Sequence, residues 1–258
     1  MILKLLSLLP RKAISHLTGI IVHLESPKWF ANFLKHSLIR KLNIDASEAE
    51  CEVNSYKSFG SFFARRLKKG SRPLGNASFV SPCDGVISEK GHIINGHLTQ
   101  CKDINYTLSK LLKNDQYSSE FLDGYFMTIY LAPFNYHRVH IPADAKMIDN
   151  YTIPGDLWPV NKASVTSIDE LFCINERNIS ICSTPVGQYA QIMVGATNVG
   201  SIELMPNIKN GNSINKGDEY GVFNMGSTVI LIFDSNLKKS FRIEDIHPGP
   251  VMCLESFK

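Results

Sequence analysis

The sequence predicts an α+β fold in which N-terminal amphipathic helices are followed by a large, mostly antiparallel β body. The 258 residues are 44% hydrophobic and 20% charged, which is typical of a globular chain with ample material for a core. Apolar residues recur at helical spacing before about residue 70. After about residue 78, short runs of Val, Ile, Phe and Tyr alternate with Gly, Asn, Asp and Pro. We therefore predict a helical region over residues 1–70 and a β-rich domain over residues 71–258.

The first 24 residues are the most apolar stretch, yet they match neither a membrane span nor a secretory signal peptide. A span needs about 20 continuous apolar residues, and here Lys4, Pro10 and the Arg11-Lys12 pair break every run. The basic pair follows the apolar run and no small-residue cleavage site is present, which argues against a signal peptide. The stretch instead carries an apolar helical stripe at 4-3-4 spacing, formed by Ala13, Leu17, Ile20 and Leu24.

The charge of this arm differs from that of the body. Residues 1–41 hold seven Lys or Arg against one acid, Glu25, and sum to +6, whereas the other 217 residues hold 20 against 23 and sum to −3. A basic arm on a slightly acidic body indicates an anionic partner for the arm. Two interpretations stay open, an amphipathic helix lying on an anionic membrane surface and a helix packed on the body.

Further helices are predicted at three places. A helix over residues 47–69 would begin at Ser47, with Glu50 completing a capping box, and end at the Lys68-Lys69-Gly70 segment. Its apolar side would consist of Tyr56, Phe59, Phe63 and Leu67. Two short helices are predicted around Leu108–Leu112 and Ile168–Leu171.

Strands are predicted in "FVSPCDGVIS", "YFMTIYLAP", "HRVHIP", "NISICST", "AQIMVGA", "GSIELMP" and "STVILIF". The stretch "VFNMGSTVI", residues 222–230, is predicted as one buried strand that Gly226-Ser227-Thr228 interrupts. A glycine weakens a strand and usually marks a bulge or a close backbone approach. The small polar triplet therefore needs a turn or a chemical reason.

The cysteines argue against zinc and against a disulfide framework. The six residues are scattered and include no C-x-x-C pair. We predict reduced thiols in a cytosolic setting.

Four polar residues of the β region are candidates for chemistry. Asp84 lies in an Asp-Gly turn, where it could simply bond its own backbone. His137 and His140 form an H-x-x-H pair, but the spacing suggests no third ligand, so we predict no metal site. Ser227 could occupy a plain bulge. Taken together, however, a Ser, a His and an Asp can act as nucleophile, base and orienting group. A hydrolase nucleophile elbow is disfavoured because the chain lacks G-x-S-x-G.

Six motifs occur in order along most of the chain: "FVSPCDGVI", "YLAPFNYHRVHIP", "PGDLWPVN", "LFCINERNI", "AQIMVGATNVGSIE" and "INKGDEYGVFNMGSTVI". With them the sequence resembles the phosphatidylserine decarboxylases, self-cleaving pyruvoyl enzymes, in their bacterial membrane-associated form. Met225 stands where members of that family more often have Leu, and Cys83 where Ala is common. Neither difference removes a reacting group.

The resemblance implies that the chain cuts its own Gly226–Ser227 bond, giving a β chain of residues 1–226 and an α chain of residues 227–258. Ser227 would become a covalent pyruvoyl cofactor. The resemblance further implies that His140 is the base that activates Ser227, that Asp84 orients His140, and that His137 serves the decarboxylation step. Thr228 is a candidate hydrogen-bond donor near the oxyanion.

The resemblance also implies the substrate and the setting. Phosphatidylserine would form a Schiff base with the pyruvoyl group and leave as phosphatidylethanolamine, the last step of the synthesis of that lipid. The enzyme would be peripheral on the cytoplasmic side of the cell membrane and bind an anionic membrane surface. Its two cleaved chains would form a heterodimer that dimerises further, and no nucleic acid is expected as a partner.

Three other functions stay open at this point. A pyruvoyl decarboxylase of a soluble amino acid or nucleoside would lack a use for the basic arm. A serine hydrolase built on Asp84, His140 and Ser227 would keep an intact chain. A non-enzymatic binding module is compatible with the Gly-rich turns of "INKGDEYGVF" and would carry no reactive carbonyl.

Overall fold

The computed structural model describes residue 17 and residues 19–196, 202–224, 227–241 and 243–257. Residues 19–22 are helical. The α-helices that follow are α1 Lys28–Lys41, α2 Phe59–Phe63, α3 Leu108–Leu112, α4 Asp115–Glu120, α5 Lys162–Val165, α6 Leu171–Ile174 and α7 Ser235–Phe241. Short 3-10 helices span Val53–Ser55 and Ile243–Asp245.

The strands form the antiparallel body that the sequence predicts. In chain order they are β1 Gly85–His92, β2 His97–Cys101, β3 Ile104–Thr107, β4 Tyr125–Leu131, β5 Arg138–His140, β6 Ala145–Ile153, β7 Arg177–Thr184, β8 Gly187–Gly195, β9 Ile202–Leu204, β10 Ser213–Ile214, β11 Glu219–Phe223, β12 Ser227–Phe233 and β13 Gly249–Val251. An eight-stranded sheet has the order β10-β6-β7-β8-β12-β4-β1-β13, and its neighbours are antiparallel. A three-stranded sheet, β5-β11-β9, and a β2–β3 hairpin complete the body.

Both faces of the eight-stranded sheet are covered, which explains why β12 reads as a continuous apolar run. Its odd-numbered apolar residues, among them Val229 and Leu231, join a core that includes Val139 of β5 and Phe223 of β11. Its even-numbered residues, among them Ile230, join a second core with side chains of α3, α6 and the β2–β3 hairpin. Because side chains alternate along a strand, β12 is buried between the three-stranded sheet and these helices.

The N-terminal part has a small core of its own, made of Val22, Ile44, Ala49, Phe59, Phe62 and Phe63. The stripe predicted for the first 24 residues does not pack into this core where the structure describes it. Leu17 and Ile20 are 58% and 53% exposed. Trp29 and Phe33, one turn apart on α1, are also exposed. Ala13 lies outside the described residues.

The prediction of one helix over residues 47–69 is wrong. The chain forms the 3-10 turn Val53–Ser55 and then the five-residue helix α2, whose N-cap is Ser58 in a capping box with Ser61. Residues at the two ends of the predicted helix pair with each other, because Ala49 bridges Leu67 and the Glu48 carbonyl accepts from the Lys68 N–H. Long-range pairing therefore uses backbone groups that a continuous helix would need.

Two further predictions need correction. The stretch 222–230 is not one interrupted strand, because β11 ends at Phe223 in the three-stranded sheet and β12 begins at Ser227 in the eight-stranded sheet. Ser227 and Thr228, which were predicted as part of the interruption, are instead the first two residues of β12. The second short helix begins at Leu171 rather than around Ile168, whereas the helix Leu108–Leu112 is confirmed.

All six cysteines are free thiols, as predicted. In the described part of the chain, no helix has both the length and the apolarity to cross a bilayer.

Candidate active site

Ser227 is the first residue of β12 and lies near the middle of the eight-stranded sheet. It pairs with Leu131 of β4 and Gly195 of β8. Its side chain is fully buried, and its Oγ atom has no hydrogen-bond partner among the described residues. Since buried hydroxyl groups are normally hydrogen-bonded, this atom needs an explanation other than packing. Gly226, the other half of the predicted cleavage site, lies outside the described residues, as does Met225.

His137 immediately precedes β5 and is fully buried. Its Nδ1 lies 2.9 Å from the Asn135 carbonyl oxygen. Because a carbonyl only accepts, Nδ1 carries the proton and Nε2 presents a lone pair, and Nε2 has no partner among the described residues. Burial lowers the pKa of His137 to about 3, and the ring packs 4.1 Å from the ring of Phe63. His137 is therefore a neutral imidazole with a free basic nitrogen.

His140, the last residue of β5, has both ring nitrogens engaged. Nδ1 lies 2.8 Å from the carbonyl oxygen of Gly217, and Nε2 lies 3.1 Å from the hydroxyl oxygen of Tyr136. Nδ1 must donate to the carbonyl, so Nε2 accepts from the hydroxyl. Gly217 has φ +91°, a conformation that glycine adopts without strain. Burial lowers the pKa of His140, although the bond to Gly217 opposes that effect.

Asp84 precedes β1 and is held by Arg72. The guanidinium donates from Nε and Nη2 to the two carboxylate oxygens, at 2.9 and 2.7 Å. The Cys253 N–H donates to the same carboxylate at 2.8 Å, and the Tyr136 N–H does so at 3.4 Å. Arg72 also binds both carboxylate oxygens of Glu48, at 2.9 and 3.0 Å. This pairing raises the pKa of Arg72, and Asp84 is almost completely buried.

Asp84, which the resemblance implies orients His140, makes no direct hydrogen bond to that histidine. The donor nitrogen of His140 is used by Gly217, and the carboxylate of Asp84 is used by Arg72 and two backbone N–H groups. Tyr136 connects the two residues indirectly, because its backbone N–H donates to Asp84 and its hydroxyl donates to His140. The charge of Asp84 also raises the pKa of both histidines, against the larger effect of burial.

Thr228 faces the side of the sheet opposite to Ser227, as strand alternation requires. It lines a cavity of about 440 Å³. The lining includes the apolar side chains of Val86, Tyr130, Val160 and Phe172 and also two charged residues, Glu89 and Lys162. This volume lies within the usual range of small-molecule sites.

The sequence of this chain is similar to those of known proteins over most of its length. A family model described as phosphatidylserine decarboxylase matches residues 59–249. A protein of Anaeromyxobacter sp. (strain K), named phosphatidylserine decarboxylase proenzyme, is 38% identical over 248 residues, covering 89% of this chain and 88% of the relative. The chain belongs to the phosphatidylserine decarboxylase family. Relatives with the same name include one from Legionella pneumophila (strain Corby), 38% identical with coverages of 90% and 88%, and one from Coxiella burnetii (strain RSA 331 / Henzerling II), 39% identical with coverages of 90% and 89%.

This member of the decarboxylase family uses residues that the sequence did not single out. Arg72, Tyr136 and Gly217 hold Asp84 and His140 in place. Tyr136 lies inside the motif "YLAPFNYHRVHIP", which was the available signal. Gly217 likewise lies inside the motif "INKGDEYGVFNMGSTVI", whereas Arg72 lies outside the six motifs and approaches the site only through the fold.

A metal centre finds no support in the geometry of this decarboxylase. Among the residues that the structure describes, no three His, Cys, Asp or Glu side chains are grouped so as to hold an ion. In the H-x-x-H pair, Nδ1 of each ring bonds a backbone carbonyl.

Proposed function

We propose that this enzyme decarboxylates phosphatidylserine to phosphatidylethanolamine with a pyruvoyl group made from its own Ser227, as the last step in the synthesis of that lipid. The observation that carries the proposal is the buried, unpartnered Oγ of Ser227 at the start of β12, directly after Gly226 in the sequence. The names of the relatives, which call them proenzymes, support a maturation step.

The proposed maturation begins with attack of Ser227 Oγ on the carbonyl carbon of Gly226. Glycine has no side chain to obstruct that carbonyl and tolerates unusual backbone conformations. The attack converts the peptide bond into an ester. Loss of the Ser227 α-proton then eliminates the ester, which leaves a free carboxylate on Gly226 and a dehydroalanine at position 227. Water adds to the imine form of the dehydroalanine and ammonia leaves, so a pyruvoyl group remains at the start of residues 227–258.

We assign the proton transfers of this maturation to His140. Nε2 of His140 is its accepting nitrogen, and it would have to exchange the Tyr136 hydroxyl for Ser227 Oγ in order to act as base. Gly217 keeps the proton on Nδ1, and Asp84 contributes a negative charge that stabilises the imidazolium. Thr228 remains a candidate donor to the oxyanion.

We assign the decarboxylation step to His137. The low pKa of His137 keeps the ring neutral. Its Nε2, which has no partner among the described residues, can accept a proton and return it to the carbon atom that CO₂ leaves. The pyruvoyl carbonyl, once made, supplies the electron sink for the pair of electrons that CO₂ leaves behind.

The lipid substrate places the enzyme at a membrane. We propose that residues 1–70 associate with the anionic cytoplasmic face of the cell membrane and that residues 71–258 carry the chemistry. The +6 charge of residues 1–41 and the exposed side chains of Leu17, Ile20, Trp29 and Phe33 support this division. The two cleaved chains stay together because β12 of the small chain lies between β4 and β8 of the large one. A further dimer is part of the same proposal.

Denaturing mass spectrometry of the purified protein tests the proposal. We expect a 226-residue fragment and a 32-residue fragment (258 − 226), and borohydride with ammonia should label only the small one. Enzyme that has not been treated with borohydride should release CO₂ from phosphatidylserine and not from free serine, and the treated enzyme should release none. A folded, intact and unlabelled wild-type chain would contradict the pyruvoyl mechanism and favour a hydrolase or a binding module. Release of CO₂ only from a soluble amino acid would contradict the lipid substrate.

A further inference from the structure

Arg65 lies close enough to His137 for its charge to help lower the pKa of that histidine, and it has no part in the chemistry described so far. It follows α2 directly, and the carbonyl of its neighbour Ala64 accepts from Arg138 Nε of β5 at 3.0 Å. Phe63, two residues earlier, packs its ring 4.1 Å from the ring of His137. These contacts fix the backbone of Arg65 next to the segment that carries both histidines.

The guanidinium of Arg65 is buried, and two of its three nitrogens lack a hydrogen-bond partner in the part of the chain that the structure describes. The residue is 3% exposed, and neither Nε nor Nη1 has a partner among the described residues. The guanidinium lies over the ring of Phe62, 4.9 Å from its centroid. Arg177, which is equally buried, donates to four backbone carbonyls. A buried cation without hydrogen bonds is costly, so Arg65 is suited to a partner that arrives from outside.

The carboxylates near Arg65 are hydrogen-bonded to another residue. Burial lowers the pKa of Arg65, and the charges of Asp84 and Glu48 oppose that effect, so both acids lie close enough to act on it. Both acids are hydrogen-bonded to Arg72 instead. The residues outside the described ranges contain no Asp or Glu. The chain therefore has no unplaced acidic side chain to pair with Arg65.

We propose that Arg65 binds the phosphodiester of the lipid headgroup, an inference that rests on the proposed function. Phosphatidylserine brings two anions, a carboxylate and a phosphodiester. A guanidinium bound to the carboxylate would stabilise the charge that disappears when CO₂ leaves and would slow the reaction. The phosphodiester keeps its charge throughout, so binding it improves affinity without raising the barrier. Arg also matches the geometry of phosphate oxygens better than Lys does.

Room for an anion exists next to this position. The residues that follow Arg65, namely Arg66, Leu67 and Lys68, line an open cavity of about 170 Å³ together with Arg72, Tyr136 and His140. The lining includes one carboxylate, Glu219, which pairs with Arg66. A cleft with cations on its rim raises the local concentration of an anionic ligand.

The test compares two substrates in Arg65→Gln, Arg65→Lys and a control, Lys69→Gln, which removes an exposed charge four residues away. The substrates are dihexanoyl phosphatidylserine and O-hexyl-L-serine, which keeps the amine and carboxylate but lacks the phosphodiester. For the phospholipid, Arg65→Gln should raise KM about ten- to a hundredfold with little change in kcat, the loss expected for a charge-assisted hydrogen bond. KM for O-hexyl-L-serine should not change. Arg65→Lys should show a smaller rise, and Lys69→Gln none.

Inorganic phosphate provides a second measurement that needs only folded wild-type enzyme. At constant ionic strength set with NaCl, phosphate should inhibit phosphatidylserine turnover competitively, and Arg65→Lys should weaken that inhibition. An unchanged KM in Arg65→Gln, an equal loss with both substrates, or no inhibition of the wild type by phosphate would each overturn the role of Arg65. A wild-type chain that neither cleaves itself nor releases CO₂ from phosphatidylserine would instead overturn the proposed function, and this inference with it.

Discussion

Arg72 holds Asp84 through two hydrogen bonds, from Nε at 2.9 Å and from Nη2 at 2.7 Å. The same guanidinium binds Glu48, so one side chain joins the N-terminal region to the candidate active site. Asp84 in turn accepts from the Cys253 N–H, which belongs to the proposed small chain. The hydrogen bond from Cys253 to Asp84 therefore joins the two chains that maturation would produce.

Removal of Arg72 should destabilise the proenzyme and slow its maturation. Arg72→Met leaves the carboxylate of Asp84 buried without its cation, and breaking a pair of this kind costs about 3 kcal/mol or more. We expect a lower urea midpoint in a Ser227→Ala background, where the chain stays in one piece, and slower appearance of the small fragment on a gel when Ser227 is present. Lys110→Gln is the matched control, because its pair with Glu170 is largely exposed and contributes little. Equal midpoints for the two variants would show that the Arg72 pair does not stabilise the fold.

The two histidines should separate maturation from turnover. His140→Ala should block or strongly slow self-cleavage, since its Nε2 is the proposed base for Ser227. His137→Ala should still cleave, yet lose most of its CO₂ release. A gel for the small fragment, run beside a CO₂ assay, distinguishes the two. The opposite result would also be informative, because Nε2 of His137 has no partner among the described residues and could itself act as the base for Ser227. If His137→Ala stays uncut while His140→Ala matures normally, the two roles are reversed.

Stability of the proenzyme should fall with acidification partly because of His137. Its pKa is lowered by burial from 6.5 to about 3, so between these values the unfolded chain binds a proton that the folded chain does not. The contribution is complete above the unfolded pKa and is lost as the pH falls toward 3. In a Ser227→Ala background, His137→Gln should reduce the loss of unfolding free energy between pH 7 and pH 4 by roughly 3 kcal/mol. Urea titrations at each pH measure the difference. Parallel pH profiles would contradict the burial of a neutral imidazole.

Vesicle binding should depend on both the charge and the apolar side chains of the N-terminal arm. Replacement of Arg11, Lys12, Arg40 and Lys41 by Gln should weaken binding to anionic vesicles and flatten its salt dependence, because exposed charges are screened over roughly 8–10 Å at ordinary salt. Leu17→Ser with Ile20→Ser should weaken binding at every salt concentration, since apolar burial is not screened. Both residues are more than half exposed, so the core loses little.

The control for vesicle binding is Ile94→Ser, an equally exposed apolar residue of the β body. Self-cleavage should survive in all of these variants, because the reacting groups lie in that body. Sedimentation with vesicles, beside a gel for the small fragment, measures both properties. Unchanged binding in both arm variants would show that lipid is met elsewhere on the protein.

Local patterns in the sequence were sufficient to predict seven strand segments of the β body and to single out the candidate site residues. Each of the seven predicted strand segments contains or overlaps a strand of the structure, because the alternation of apolar runs with turn residues is a local property. Ser227, His137, His140 and Asp84 were found through ordered motifs, and all four are buried in the structure. Apolarity and the ability to act as nucleophile or base are properties of single residues, so they can be recognised without the fold.

Which backbone segments pair, and which side chains form hydrogen bonds with each other, depends on the tertiary fold. The Ser47 and Glu50 pattern predicted a long helix, but the pairing of Ala49 with Leu67 redirected the chain, and local spacing contains no information about that pairing. Likewise the partner of Asp84 is Arg72 and that of His140 is the Gly217 carbonyl, 77 residues away. Hydrogen bonds of a few ångströms depend on how strands and loops register against each other. That register is settled by the packing of the whole core, so it could be seen only in the folded chain.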